Sequence, residues 1–202
     1  MIRVFILLLL SALILNAQEY TRKDSLRGNL SPLRLCYNVT FYDLNIVIDD
    51  QEKSIGNSEN IIHFTALSDF DFFQIDLAAN MEIHLVEFEG RQLDFTREFD
   101  AVSIYFNRNI VKGEQAIIKV SYSGCPREAV NPPWDGGFSW EKDKNNRAWI
   151  GVSCQGLGAS SWWPCKDHQS DEPDSMRVKV AARYPLKIIA NGDLRTDTLV
   201  WS

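Results

Sequence analysis

Cys154, Cys165, Asp167 and His168 fall within fifteen residues, and all four side-chain types bind metals. Structural zinc favours cysteine pairs with roughly two to four residues between them. Ten residues separate Cys154 from Cys165, and no second pair exists. A His-Glu-x-x-His helix is absent, because His63, His84 and His168 lack that spacing. No metal site is therefore expected in this chain. Cys165 and His168 are neighbours, but a nucleophile and its base usually meet in space from distant segments. Gly158-Ala159-Ser160 lacks the flanking glycines of a nucleophile elbow. No complete catalytic triad is expected. Asp167, Asp171, Glu172 and Asp174 are close together, and adjacent acids of one loop are expected to point apart into water. Trp134, Trp140, Trp149, Trp162 and Trp163 lie within thirty residues, beside glycines and prolines. They suggest a packed junction or the wall of a pocket.

The elements around this segment read as strands. In Cys36–Asp49, "CYNVTFYDLNIVID", apolar side chains alternate with others: first Tyr37, Val39 and Phe41, then Leu44, Ile46 and Ile48. Further strands are predicted over Ser58–Leu67, Asp71–Ala78, Glu82–Gly90, Ala101–Asn107 and Gln115–Gly124. Turns are predicted at Gly56-Asn57, Glu89-Gly90 and Lys112-Gly113. His63 and His84 alternate with apolar neighbours and read as sheet-face residues. The spacing of the runs predicts an antiparallel sandwich or stacked sheets. From Cys125, prolines and glycines break the pattern; strand character returns in "RVKVAARY" and "LKIIANGDL" after Arg177.

Arg3, an apolar run from Val4 to Leu15, and Asn16-Ala17 read as a secretory signal peptide over residues 1–17, leaving Gln18 first. The run is too short to span a bilayer comfortably, so no stable membrane insertion is expected; a signal anchor is the alternative reading. An exported protein, periplasmic or extracellular, is the expectation. Cys36, Cys125, Cys154 and Cys165 then allow three disulfide pairings, or four buried free thiols. Residues 18–33 are polar and aperiodic and read as a flexible leader. Residues 34–202 are expected to form the β domain. The apolar Leu199-Val200 close to Ser202 reads as a cut through a strand, so the domain is expected to be incomplete at its C-terminus. The net charge of −6 gives no electrostatic case for binding nucleic acid.

Several stretches together resemble the N-terminal β domain of the aminopeptidase N family of zinc metallopeptidases. They are "YDLNIVID", "IDLAANMEIHLVEFEG", "VKGEQAIIKVSYSG", and "SCQGLGASSWWPCKDHQSDEP" from Ser153 to Pro173. "PPWDGGFSW" with "WIGVSCQGLGASSWWP" resembles the branch common among exported bacterial members. The resemblance covers about residues 36–202. It implies a mostly β fold of saddle-like stacked sheets. It implies that Gln155 offers its amide to the first residue of a peptide substrate and that Gly156 lets the backbone approach that ligand. Pro164, Cys165 and Asp171-Glu172-Pro173 match a structural landmark, and Asp167 competes with Asp171 for the family's aspartate place. The family's zinc, its His-Glu-x-x-His helix and its distant glutamate would lie on a separate catalytic domain. This chain then holds no cofactor and no catalytic residue, and alone it should be inactive. Three functions compete. The first is a non-catalytic wall of a peptide cleft in an exported zinc aminopeptidase. The second is a stand-alone β-sandwich module binding peptide or glycan. A cysteine hydrolase, the third, would need thiol-sensitive turnover.

Overall fold

A computed structural model describes residues 19–198. The proposed signal peptide and the expected strand cut at Trp201-Ser202 lie outside the described residues. In chain order the elements are α1 (Arg22–Gly28), α2 (Pro32–Leu35), β1 (Tyr37–Asp49), β2 (Ser54–Ala66), β3 (Phe70–Asp76), β4 (Met81–Phe88), β5 (Arg91–Gln92) and β6 (Asp94–Glu98). Then follow β7 (Ala101–Ile110), β8 (Gln115–Gly124), β9 (Gly137–Lys142), β10 (Ala148–Ser153), a 3₁₀ turn at Ala159–Ser161, and β11 (Ser175–Ala182).

One sheet runs β11-β1-β2-β8-β4-β5 and a second runs β3-β7-β6, while β9 and β10 form a separate hairpin. All pairs are antiparallel except β1 with β11, which runs parallel from Phe41 opposite Ser175 to Ile48 opposite Ala182. The mostly β, stacked-sheet expectation is borne out.

The two larger sheets close on an aromatic core, because each presents every second side chain to the other. Tyr37 of β1 meets Phe73 of β3 edge-on at 4.3 Å, and Phe106 of β7 meets Phe88 of β4 at 5.1 Å. Phe64 and Phe70 complete the cluster. Edge-to-face and tilted packing suits rings whose edges are positive and faces negative.

The turn after β1 falls at Asp50–Lys53 rather than at the expected Gly56-Asn57, which lie inside β2. The Asp49 carboxylate accepts from the amides of Gln51 (2.9 Å) and Glu52 (3.1 Å) and fixes the reversal there. The expected strand "LKIIANGDL" does not form, and Ile189 and Leu194 are exposed. No strand lies beside it among the described residues, and extended backbone needs a ladder partner to persist. Four strands were not expected: the short β5 and β6, and the hairpin β9 and β10. The turn between β9 and β10 is closed by Asp143, whose Oδ1 accepts from Asn145 (2.8 Å) and Arg147 (2.9 Å).

Residues 18–33, read as a leader, contain α1 and run into α2. Thr21 starts α1 with a capping box: its hydroxyl accepts from the Asp24 amide, and the Asp24 carboxylate accepts from the Thr21 amide. No residue of α1 is buried. Ion pairs join it to the sheet, Arg22 to Glu98 at 3.0 Å and Lys23 to Asp100 at 3.3 Å.

The edge strand β11 is tied by charge as well as by its ladder. Arg177 donates to both oxygens of Asp43 on β1, and Lys179 stands 3.8 Å away. The Arg177 hydrogen bonds, aided by the charges of Lys179 and Arg177, hold the Asp43 carboxyl below its ordinary range, although burial opposes them.

Candidate functional site

The quoted segment begins where β10 ends. The Cys154 carbonyl accepts from the amides of Leu157 (3.1 Å) and Gly158 (2.9 Å), closing a tight turn with Gln155 and Gly156 at its tip. The 3₁₀ turn Ala159–Ser161 follows. The chain then passes under the six-stranded sheet. Trp163 is buried edge-on against Tyr42 at 5.0 Å. Asn60 donates to the Pro164 carbonyl at 2.7 Å, and Tyr42 accepts from the Lys166 amide at 3.0 Å. Cys165 and Asp76 exchange both backbone hydrogen bonds, at 2.7 and 3.0 Å. The segment is thereby stitched to β1, β2 and β3 at once.

A buried polar clasp underlies this stitching. Arg34 of α2 is 0% exposed and Asp76 of β3 is 1% exposed, and their side chains meet at 2.5 Å. Arg34 also donates to the carbonyls of Arg27 and Asn29, the latter at 3.2 Å. Asp76 further accepts from Gln74 (2.8 Å) and from the Asp167 amide (3.0 Å). Asp167 in turn accepts from the Ser160 amide (3.1 Å) and hydroxyl (2.6 Å). On the other side Lys166, itself buried, donates to Asp171 (2.8 Å) and to the Tyr37 carbonyl (2.7 Å). Its ammonium stands 4.7 Å from the Tyr37 ring centre. A buried charge is tolerable only when so paired and hydrogen-bonded.

Two expectations are corrected here. Asp167 and Asp171 do not point into water: each is held by partners, and the Asp171 side chain is 4% exposed. They were read as a solvated cluster because Lys166 and Ser160, their partners, are not distinguishable from surface residues in sequence. Arg34 and Asp76 were missed altogether. The available signal was an arginine between Leu33 and Leu35 beside Ser31-Pro32, and two polar residues, Gln74 and Asp76, alternating with the apolar Phe73, Ile75 and Leu77.

Gln155 is exposed at the tip of its turn. Gly156 has φ of 75°, which only glycine adopts readily, and no atom stands within 4 Å of where a Cβ would be. The space in front of this backbone is open. The structure thus places Gln155 and Gly156 together, on an accessible turn anchored from behind.

The tryptophans divide. Trp162 and Trp140 pack on Phe138, at 5.5 Å edge-on and 5.1 Å stacked, and Trp163 is buried. Trp134 and Trp149 stand exposed. All four cysteines are free thiols. Burial pushes the Cys165 thiol well above its ordinary value and also raises Cys154, whose sulfur accepts from the Trp162 indole at 3.1 Å. Burial raises Cys36 to about 11. Such thiols are poor nucleophiles at neutral pH. His168 engages Ser170 at 2.8 Å. His63 lies edge-on to Phe41, and His84 meets Ser123 at 2.6 Å, as sheet-face residues do.

Among the described residues no group of three or more histidine, cysteine, aspartate or glutamate side chains is arranged to hold a metal ion. Asp76, Asp167 and Asp171 are already engaged with arginine, serine and lysine. The residues present do not fit a zinc site. No described helix is long and apolar enough to cross a membrane.

Neither a family model nor a curated protein matches the sequence. Solved structures do match it. An M1 zinc metallopeptidase from Deinococcus radiodurans aligns at 19% identity with a TM-score of 0.58, over 73% of this chain and 33% of that one. Leukotriene A4 hydrolase from Saccharomyces cerevisiae aligns at 14% identity with a TM-score of 0.62, over 85% of this chain and 27% of that one. A second structure of the yeast hydrolase gives 16% identity and a TM-score of 0.64, over 88% and 29%. This chain spans about a third, or less, of the length of these proteins. At such identities the likeness is one of architecture, and the chain has the fold of the N-terminal β domain of M1 zinc metallopeptidases.

Proposed function

We propose that this chain is the non-catalytic N-terminal domain of an exported zinc aminopeptidase and forms one wall of its peptide-binding cleft. The observation that carries this reading is the shared fold together with an accessible Gln155 on a turn anchored from behind. Gln155 would meet the amino-terminal residue of a peptide, since a neutral amide both donates and accepts without burying a charge. Gly156 would let the backbone come close to that ligand. Zinc and the bond-breaking groups would belong to a catalytic domain outside the described residues. Export would follow removal of residues 1–17, placing the protein in a periplasm or outside the cell.

The test is Gln155→Ala in a polypeptide that joins this domain to a catalytic domain. Loss of one neutral hydrogen bond to substrate should lower kcat/KM about five- to tenfold. An unchanged kcat and KM would remove Gln155 from the site. The exposed Trp134 and Trp149 favour a second reading, a stand-alone module that binds peptide or glycan by stacking. Ligand binding by this chain alone, abolished by Trp149→Ala, would favour that reading over the first.

A further inference from the structure

We propose that Asp167 is the positioning residue of the Gln155 turn. The proposal deepens the cleft-wall reading, because it matters for function only if Gln155 meets a ligand, but its structural content stands apart. The Asp167 carboxylate holds both the amide and the hydroxyl of Ser160, the residue two beyond the turn. It also fills the space beside Gly158: a Cβ built there would stand 2.1 Å from Asp167 Oδ2. Gly158 has φ of 77°, in the left-handed region that favours glycine. The turn and the carboxylate therefore exclude any larger residue at Gly158 on two separate grounds. Asp167 is not free to drift, since its own amide is held by Asp76. A path of direct contacts thus runs from α2 through Arg34, Asp76 and Asp167 to Ser160 and Gly158. Gln155, exposed at the tip of the same turn, takes its direction from this path. A binding amide needs such support, because fixing an exposed side chain on binding otherwise costs conformational entropy.

Native-state hydrogen exchange on this chain tests the proposal, with NMR order parameters at Gln155 and Gly156. The reporters are the amides of Leu157, Gly158 and Ser160. Asp167→Ala should speed their exchange by about tenfold or more, because hydrogen bonds to a charged group are lost. The amides of β1 and β2, which report the global fold, should change far less. Asp167→Asn keeps an acceptor and should restore most of the protection, within about threefold of the parent. Gly158→Ala should mimic Asp167→Ala at Ser160, and in an Asp167→Ala background it should add much less than it does alone. A purely structural aspartate would slow or speed all amides together and would show no such non-additivity.

Unchanged exchange at all three reporters in Asp167→Ala, or additive effects of the two substitutions, would overturn the proposal. If Asp167→Ala does not fold, Ser160→Ala carries the decision: it should speed exchange at Gly158 and Ser160 only, and parental rates there would overturn the proposal. Failure of the cleft-wall reading looks different. The turn would loosen as expected, while Gln155→Ala left catalysis untouched.

Discussion

Arg34→Ala lowers the stability of this domain by about 3–5 kcal/mol, the cost of leaving one member of a buried ion pair alone. Arg34 is completely buried, and so is Asp76. Removing the guanidinium leaves the Asp76 carboxylate out of water with only Gln74 and the Asp167 amide to satisfy it. It also orphans the carbonyls of Arg27 and Asn29, which end α1 and begin the link to α2. Lysine is a poor substitute, since one ammonium cannot serve three acceptors spread over a planar fork. An Arg34→Met, Asp76→Leu double substitution should cost far less than the single change, because no charge is left behind. Urea unfolding at neutral pH measures both. A single-variant loss below about 1 kcal/mol would show that the pair is solvated and that the clasp does not hold the segment.

Phe73→Ala should cost about 3–5 kcal/mol, by a different mechanism. Phe73 is fully buried at the centre of the aromatic core, with Tyr37 at 4.3 Å, Phe106 at 5.2 Å and Phe64 at 5.3 Å. These rings come from both large sheets, so the void left behind cannot be closed by one side chain moving. Phe73→Leu should recover much of the loss. Trp149→Ala, on the exposed face of β10, should change stability by less than about 0.5 kcal/mol. The same urea titrations check all three. Equal effects at Phe73 and Trp149 would contradict a core placed between the two larger sheets.

Much of this was legible in the sequence because half-buried strands write their burial with a period of two. β1 shows it plainly: Tyr37, Val39, Leu44 and Ile46 are buried where the alternation puts them. The bulges after Val39 and Asn45 explain the breaks in that alternation. The turn at Asp50–Lys53 was missed because a glycine-asparagine pair is the stronger general signal, whereas the local Asp49 carboxylate decides here. The clasp was the least legible part. Gln74 and Asp76 sit on the face of β3 that alternation assigns to water, yet α1 and α2 cover it. A residue's partners many positions away in sequence leave no local trace. Asp167 and Asp171 suffered the same fate, since acids in a loop rich in charge look solvated until Ser160 and Lys166 are placed beside them. The resemblance to a metallopeptidase domain indicated the architecture correctly.

The proposed role is to shape a peptide cleft and to leave bond breaking to a separate domain. It is tested most directly by incubating the purified chain, with zinc supplied, with amino-acyl anilides and short peptides. The account predicts no release of the amino-terminal residue above background. Turnover that tracks the folded protein and is abolished by a chelator would contradict it.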